Sequence, residues 1–85
     1  MARHQWHYIE VSFDEPGEDT TYRAHVIWAD GADEAMTMAR ASTLAAHPYA
    51  DNIELFTCRP VDTDKALDIR DQIRNGSWTG WKETA

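Results

Sequence analysis

The alternation of apolar and polar side chains along the chain predicts three β-strands. Residues 6–13 and residues 20–28 both alternate with a period of two and are rich in aromatic and β-branched side chains, which is typical of strands. A turn-forming Pro-Gly pair at residues 16–17 lies between them, so we expect a hairpin. Residues 52–59 alternate in the same way and form the third predicted strand, which we expect Pro60 to end.

A segment rich in alanine and methionine, residues 29–47, predicts one long helix between the second and third strands. One half of its helical wheel carries almost only small side chains, so this half can lie close against a sheet, with two methionines filling gaps at its edges. Asp30 is the expected N-cap, Pro48 prevents continuation, and Leu44 points away from the sheet. The small-residue half comprises Ala32, Ala35, Met36, Met38, Ala39, Ser42, Thr43, Ala45 and Ala46.

A second, shorter helix is predicted after the third strand. Either Asp62 or Thr63 can act as its N-cap, and an Asn-Gly pair at residues 75–76 is a C-terminal stop signal. The tail at residues 77–85 is too short and too polar to fold alone, although its two tryptophans need a place to be buried. The helix carries Ala66, Leu67, Ile69, Arg70 and Ile73.

The element order β-β-α-β-α predicts a single α+β domain over residues 1–85, with an ordered core at about residues 5–76. A β-α-β connection is normally right-handed, which makes the third strand parallel to the second. The least strained arrangement places the third strand beside the first and antiparallel to it. We therefore expect a three-stranded antiparallel or mixed sheet in the order 2-1-3, with the long helix packed on one face.

The two faces of this sheet are expected to differ in their cover. Trp6, Tyr8, Ile27 and Phe56 would form an apolar patch on the face opposite the long helix, and monomers rarely expose such a patch. The second helix with the tryptophan tail, a second copy of the chain, or a partner could cover it. The face beneath the long helix is expected to carry Ile9, Val11, Phe13, Tyr22, Ala24, Val26, Trp28, Ile53 and Leu55.

Composition and charge restrict the classes of function. Fifteen acidic residues against eight basic ones give a formal charge of −7, which argues against direct nucleic-acid binding and against an anionic membrane surface, and suits a basic partner. The single cysteine, Cys58, allows no internal disulfide and favours a reducing compartment. The first residues lack the apolar run of a signal peptide. We therefore expect a cytoplasmic protein, in the host cytoplasm if its source is a virus.

Residues that could hold a metal or act as a nucleophile are scattered along the chain. His4 and His7 would point to opposite faces of a strand, and neither has the spacing of a metal site. Cys58 lies among apolar neighbours, where a structural buried thiol is the expected role. Capping and solubility explain the acidic pairs, so we expect no metal, no cofactor and no catalytic residue. The remaining potential ligands are His25 and His47.

The acidic residues gather at the two ends of the predicted sheet. Turns and helix starts favour acids for solubility and for the helix dipole. The sharper interpretation is that the carboxylates take the places of phosphates on a basic, nucleic-acid-binding partner, because arginine binds both groups bidentately. One end, the hairpin end, carries Asp14, Glu15, Glu18, Asp19 and Asp51, and the other, the helix-start end, carries Asp30, Asp33, Glu34, Asp62 and Asp64.

Four large aromatic residues have two interpretations. They either complete a small core or supply the apolar contacts that a charged interface needs, since an exposed ion pair contributes only ~0–1 kcal/mol. A chain of this length with four tryptophans favours the first interpretation. The four residues are Trp6, Tyr8, Trp78 and Trp81. Leu44, isolated on the outer side of the long helix, is either unremarkable or the centre of a partner contact.

Two strands, the helical segment ADGADEAMTMARA and the returning strand NIELF give residues 6–58 a layout similar to that of small phage-encoded inhibitors of the anti-CRISPR kind. Those are compact, often acidic proteins that bind a host defence complex and block its nucleic-acid groove or its nuclease recruitment. The resemblance is one of size, charge and element order, and it implies no individual functional residue. The same order resembles double-stranded-RNA-binding and antitoxin-type domains, but the RNA-binding kind has a basic helix start where this chain is acidic.

The sequence therefore predicts a non-catalytic protein that inhibits or regulates a basic, nucleic-acid-binding partner through its acidic side chains. The alternative is a small structural subunit that forms a homodimer, or packs on a partner, through the aromatic sheet face. A third hypothesis, a small enzyme that uses Cys58 or a histidine-bound metal, would require an activity that alkylation or chelation abolishes.

Overall fold

A computed structural model describes residues 4–81 of the chain. Its elements are β1 (Gln5–Asp14), β2 (Thr21–Ala29), α1 (Ala32–Ala46), β3 (Asp51–Val61) and α2 (Thr63–Asn75). β1 is the central strand and pairs antiparallel with both neighbours, so the three-stranded sheet has the predicted order β2-β1-β3. α1 packs on one face of the sheet and α2 on the other, which is an α+β architecture.

A tight turn joins β1 to β2. Glu18 N donates to the Glu15 carbonyl at 3.1 Å, with the Pro-Gly pair at the centre of the turn. Gly17 has a φ of 77°, the positive value that a type II turn requires at this position. The hairpin is thus confirmed, and its register places Trp6 opposite Trp28.

This register reverses the faces that we predicted for β2. Val26 lies opposite Tyr8 and packs beneath α2, whereas Ile27 and Ala29 pack beneath α1. The predicted assignment was wrong because directly opposite residues of an antiparallel pair share a face, and the length of the hairpin loop decides which residues are opposite. The residues expected beneath α1 but found on the α2 face are Tyr22, Ala24, Val26 and Trp28.

β3 extends further than predicted at its C-terminal end. It continues through Pro60, which lies opposite His7, to Val61. Proline is tolerated there because β3 is an edge strand, where a missing N–H need not break the sheet. Near its start, β3 contains a register irregularity at Asn52, whose φ of 51° is left-handed backbone that asparagine tolerates.

A β-bulge interrupts the middle of β3. The pairing shifts between Glu10 and Val11 of β1, which leaves Phe56 as an extra residue in β3. Because of this insertion, Leu55 and Cys58 both pack beneath α1, although simple alternation predicted opposite faces for them.

α1 begins three residues later than predicted. Ala29 is the last residue of β2, because it still pairs with Gln5. Gly31, in extended conformation, is the N-cap and forms no side-chain capping bond. The expectation that Asp30 caps the helix is therefore wrong, and Glu34 Oε1 instead accepts a hydrogen bond from Asp30 N at 3.4 Å.

The buried side of α1 is a narrow line of small residues. Ala35, Ala39 and Thr43, each four residues apart, are its buried residues, and their small size brings the helix close to the sheet. Met36 is half-buried at the edge of this line. Met38 is 42% exposed, so the gap-filling role predicted for it is wrong.

α2 begins and ends at the predicted signals. Asp62 is the N-cap, and its Oδ1 accepts a hydrogen bond from Lys65 N at 2.8 Å. Gly76 closes the helix in the left-handed conformation, with a φ of 79°. Ala66 and Ile69 are fully buried on the side of α2 that faces the sheet, in the core that contains Tyr8.

The chain after α2 turns back across the sheet and covers Tyr8. Trp78 Nε1 donates to Tyr8 Oη at 2.9 Å, and the Trp81 ring centroid lies 5.2 Å from that of Tyr8. Arg59 of β3 stacks over Trp81, 4.5 Å from the ring centroid. Of the three covers that the sequence left open, the structure therefore contains α2 with the tryptophan tail.

Replacing Ala39 with leucine should destabilise the fold by about 1–3 kcal/mol, because the added atoms would push α1 away from the sheet. Ala41 is exposed on the same helix, so Ala41→Leu is the matched control and should change stability by less than about 0.5 kcal/mol. Urea unfolding followed by tryptophan fluorescence gives both values. Equal stability of the two variants would contradict close packing of α1.

Replacing Tyr8 with phenylalanine should cost about 1 kcal/mol, because it removes the acceptor of the Trp78 indole N–H. Burial first, and the nearby Glu10 carboxylate next, raise the pKa of Tyr8 to about 12. A spectrophotometric titration of the folded protein should therefore show one tyrosine that ionises late, and Tyr8→Phe should remove it. Tyr49→Phe, at a 77% exposed position, should leave both stability and the late ionisation unchanged.

Candidate functional site

Two acidic residues of the hairpin end have structural partners. Asp14 accepts hydrogen bonds from Thr20 Oγ1 at 2.7 Å and from Asn52 Nδ2 at 3.1 Å. The bond from Thr20, followed by that from Asn52, lowers the pKa of Asp14. Glu15 Oε1 lies 3.2 Å from His47 Nδ1. Both carboxylates therefore hold loops together at this end of the sheet.

The other acidic residues of the hairpin end are more open. Glu18 and Asp19 are exposed in the turn between β1 and β2. Asp51 pairs with Asp14 at the start of β3, and its Oδ1 accepts only a local hydrogen bond from Asn52 N at 2.9 Å. These side chains place negative charge on the surface beside the two structural carboxylates.

The helix-start end lies at the opposite end of the sheet, where α1 and α2 begin on opposite faces. Asp33 and Glu34 occupy the first turn of α1, and Asp64 occupies the first turn of α2. All three are exposed and lie near the positive ends of the two helix dipoles. Asp62 is also exposed, although its side chain serves as the α2 cap.

Little of this negative charge is neutralised inside the fold. Among the side chains of residues 4–81, Glu15 with His47 is the one acidic and basic pair within ion-pair distance. The ammonium of Lys65 lies over the Trp81 ring, 5.6 Å from its centroid, as the guanidinium of Arg59 does. The carboxylates at both ends are therefore accessible to cations from outside.

The five apolar candidate residues have very different exposure. Tyr8 is fully buried, so it cannot contact a partner, and the partner-binding role offered for it is wrong. Trp78 and Trp81 are half-buried against it and belong to the same core. Leu44 is 41% exposed on the outer side of α1, as predicted. Trp6 is half-buried on the sheet.

Trp6 forms an aromatic pair with Trp28 of β2. Their ring centroids are 5.3 Å apart, and Trp28 is 48% exposed. Together with Thr63 at the start of α2, these rings line a shallow depression. This apolar surface adjoins the helix-start end, because Thr63 directly follows the Asp62 cap.

His7 and His25 each make their own polar contact, and Cys58 is partly buried. His7 Nδ1 lies 3.0 Å from the Gln5 carbonyl, and His25 Nε2 lies 3.3 Å from Thr43 Oγ1. Burial, followed by the Asp33 charge, raises the pKa of the Cys58 thiol. Residues 4–81 contain no group of three His, Cys, Asp or Glu side chains placed to hold a metal ion.

A groove that the sequence analysis missed opens on the α2 face of the sheet. We call it the Glu10 groove, because half-buried Glu10 of β1 forms its floor. Tyr22 of β2 and Phe56 of β3 line it on the side of the hairpin, and Trp78 and Gly80 of the tail line it on the side of α2. Its volume is about 400 Å³, within the usual ~300–1,000 Å³ of small-ligand clefts.

The two aromatic rings that line the Glu10 groove come from the strands on either side of β1. The rings of Tyr22 and Phe56 meet edge to face, with centroids 6.1 Å apart and an interplanar angle of 81°. Tyr22 is 66% and Phe56 53% exposed. The sequence predicted Phe56 on this face of the sheet but placed Tyr22 on the other. The correct hairpin register would have placed both rings on the same face as Glu10.

No family model, curated protein or solved structure matches this chain. Within the part of the chain that the structure describes, no helix has the length and apolar character needed to cross a membrane.

Protonation of His25 should couple pH to stability. Burial lowers the pKa of His25 below its ordinary value of 6.5, so the folded protein keeps the ring neutral while the unfolded chain takes up a proton. The free energy of unfolding should therefore decrease as pH falls below about 6.5 towards the lower pKa of the folded state. Urea unfolding at several pH values measures this slope.

His25→Gln should flatten this part of the pH profile, whereas His4→Gln, at an exposed position, should leave it unchanged. Both variants keep a polar side chain of similar size. An unchanged slope in His25→Gln would show that another group causes it.

Proposed function

We propose that the protein is a non-catalytic binding protein that inhibits or regulates a partner with a basic, nucleic-acid-binding surface. The open negative charge at both ends of the sheet is the observation that carries this proposal. Among the acidic residues of 4–81, Glu15 is the one within ion-pair distance of a basic side chain, His47, while Asp33, Glu34 and Asp64 are exposed at helix starts. Arginine side chains that normally hold phosphates can bind such carboxylates with the same bidentate geometry.

Apolar contacts must supplement these charges. An exposed ion pair contributes only ~0–1 kcal/mol, and complementary charge mainly accelerates and orients association. The aromatic pair of Trp6 and Trp28 lies next to the helix-start end, and Leu44 is exposed on α1. These residues supply the uncharged part of the interface in our proposal.

The layout shared with phage-encoded inhibitors of the anti-CRISPR kind favours a host nucleic-acid-binding complex as the class of partner. In that setting the protein would act in the host cytoplasm, with carboxylates in the positions that phosphates take on the partner. The resemblance is based on size, charge and the β-β-α-β order of β1, β2, α1 and β3.

Self-association through an aromatic sheet face is the weaker alternative. α2 and the tail cover the sheet face on which that hypothesis depends, and Tyr8 is 0% exposed beneath them. Ile27 lies on the other face, in the core beneath α1. Phe56 remains exposed on the α2 face, but it contacts Tyr22 at the Glu10 groove.

An oligoarginine peptide is a suitable first probe of the acidic ends. We expect Asp33→Asn combined with Glu34→Gln to raise its Kd about three- to tenfold, because two exposed ion pairs are lost. The matched control is Asp68→Asn combined with Asp71→Asn, which removes the same charge from α2 outside both acidic ends. Isothermal titration calorimetry measures both, and thermal unfolding confirms that the variants fold.

Salt provides the second part of this test. Binding should weaken steeply with ionic strength, because the screening length falls from about 10 Å at 0.1 M salt to about 3 Å at 1 M. Equal losses in the two double variants would show unspecific attraction between a polycation and an acidic protein. That result, or binding that does not respond to salt, would contradict the proposed function.

A further inference from the structure

We propose that the Glu10 groove binds one arginine side chain of the basic partner. The inference rests on the proposed function for the nature of the partner, and it adds a specific contact that is remote from the acidic ends. The groove combines a carboxylate with exposed aromatic rings, and a planar guanidinium group is complementary to both.

The floor of the groove provides the charge. Glu10 is half-buried on the central strand, between Ala24 of β2 and Thr57 of β3. The Tyr8 hydroxyl hydrogen-bonds to its carboxylate, and among the described residues no lysine or arginine forms an ion pair with it. The tail backbone also approaches it, since a Cβ at Gly80 would lie 3.5 Å from Glu10 Oε2. A carboxylate that is partly removed from water and lacks a cation attracts one more strongly than a fully exposed carboxylate does.

The walls provide flat aromatic surface in the same groove as this carboxylate. Tyr22 and Phe56 are among the most exposed aromatic side chains of residues 4–81, at 66% and 53%. Their edge-to-face contact fixes the two rings relative to each other. In this proposal a guanidinium that enters the groove stacks on one of these rings and donates its N–H groups to the Glu10 carboxylate.

The fold already contains an arginine in a similar environment. The guanidinium of Arg59 stacks over Trp81, 4.5 Å from the ring centroid. Trp81 directly follows Gly80, which lines the groove. At the rim of the groove, Arg23 Nη1 donates to the Tyr22 carbonyl at 2.9 Å. This hydrogen bond holds the guanidinium of Arg23 at the backbone of β2, and Arg23 forms no ion pair with Glu10.

Two capped peptides test the groove directly on the full chain. One contains a single arginine flanked by glycines, and the other contains citrulline, which has the same shape without the charge. In NMR titrations the arginine peptide should shift the signals of Glu10, Tyr22, Phe56 and the Trp78 indole N–H. The citrulline peptide should bind about tenfold more weakly or not at all. Equal binding of both peptides, or shifts confined to the acidic ends, would overturn the inference.

Matched variants separate the two parts of the groove. Glu10→Gln should raise the Kd of the arginine peptide about three- to tenfold, and Asp71→Asn, which removes the same charge elsewhere, should leave it unchanged. Phe56→Ala should cause a similar loss, whereas Tyr49→Ala, a more exposed aromatic position, should not. Because Phe56 is largely exposed, its variant should fold even if Glu10→Gln perturbs Tyr8.

The same variants distinguish this inference from the proposed function. If oligoarginine binding depends on Asp33 and Glu34 while the arginine peptide ignores Glu10 and Phe56, the groove inference fails and the proposed function stands. If Glu10 and Phe56 control arginine binding while the acidic ends have no effect, the groove binds arginine and the proposed role of the acidic ends fails.

Discussion

The fold depends on the burial of β1 on both faces. Tyr8 and Ile9 are adjacent in sequence, point to opposite sides and are both fully buried, each in its own core cluster. A chain of 85 residues has little apolar surface with which to build two cores. It succeeds because small residues bring α1 close to one face, while two tryptophans extend the cover of the other face beyond the end of α2.

Within the described residues, α2 and the tail leave part of the second sheet face open. α2 packs on β2 and β1, and the tail crosses from α2 towards β3, where Trp81 meets Arg59. Next to the described part of the tail, the sheet face carries the Glu10 groove, which half-buried Glu10 and the exposed rings of Tyr22 and Phe56 line. A structural role explains Trp78 and Trp81, which cover Tyr8, whereas Tyr22 and Phe56 keep most of their ring surface exposed.

Element order, strand order and the two ends of α2 could be predicted from simple signals, whereas the start of α1 could not, because Gly31 and not Asp30 is its N-cap. Alternation marks the strands, the Asp62 cap and Gly76 bound α2, and the right-handed crossover rule orders the sheet. The faces of β2 could not be read from alternation, because Ile27 and Val26 make both sides of that strand apolar and the loop length sets its register. The bulge at Phe56 has no signal of its own in the sequence. The Glu10 groove depends on the register of β2 and on the bulge at Phe56. Because neither can be read from local sequence patterns, those patterns located the acidic ends but not the groove.

The two outer edges of the sheet differ in regularity. β2 pairs with β1 from Gln5 to Phe13 without a shift, whereas β3 carries a bulge, a second irregularity near Asn52 and a proline. A strand from another molecule could add to the straight edge, but the broken edge offers no continuous row of backbone donors and acceptors. Growth into a long fibril requires both edges to accept a neighbour, so intermolecular strand pairing in this protein would stop at two copies.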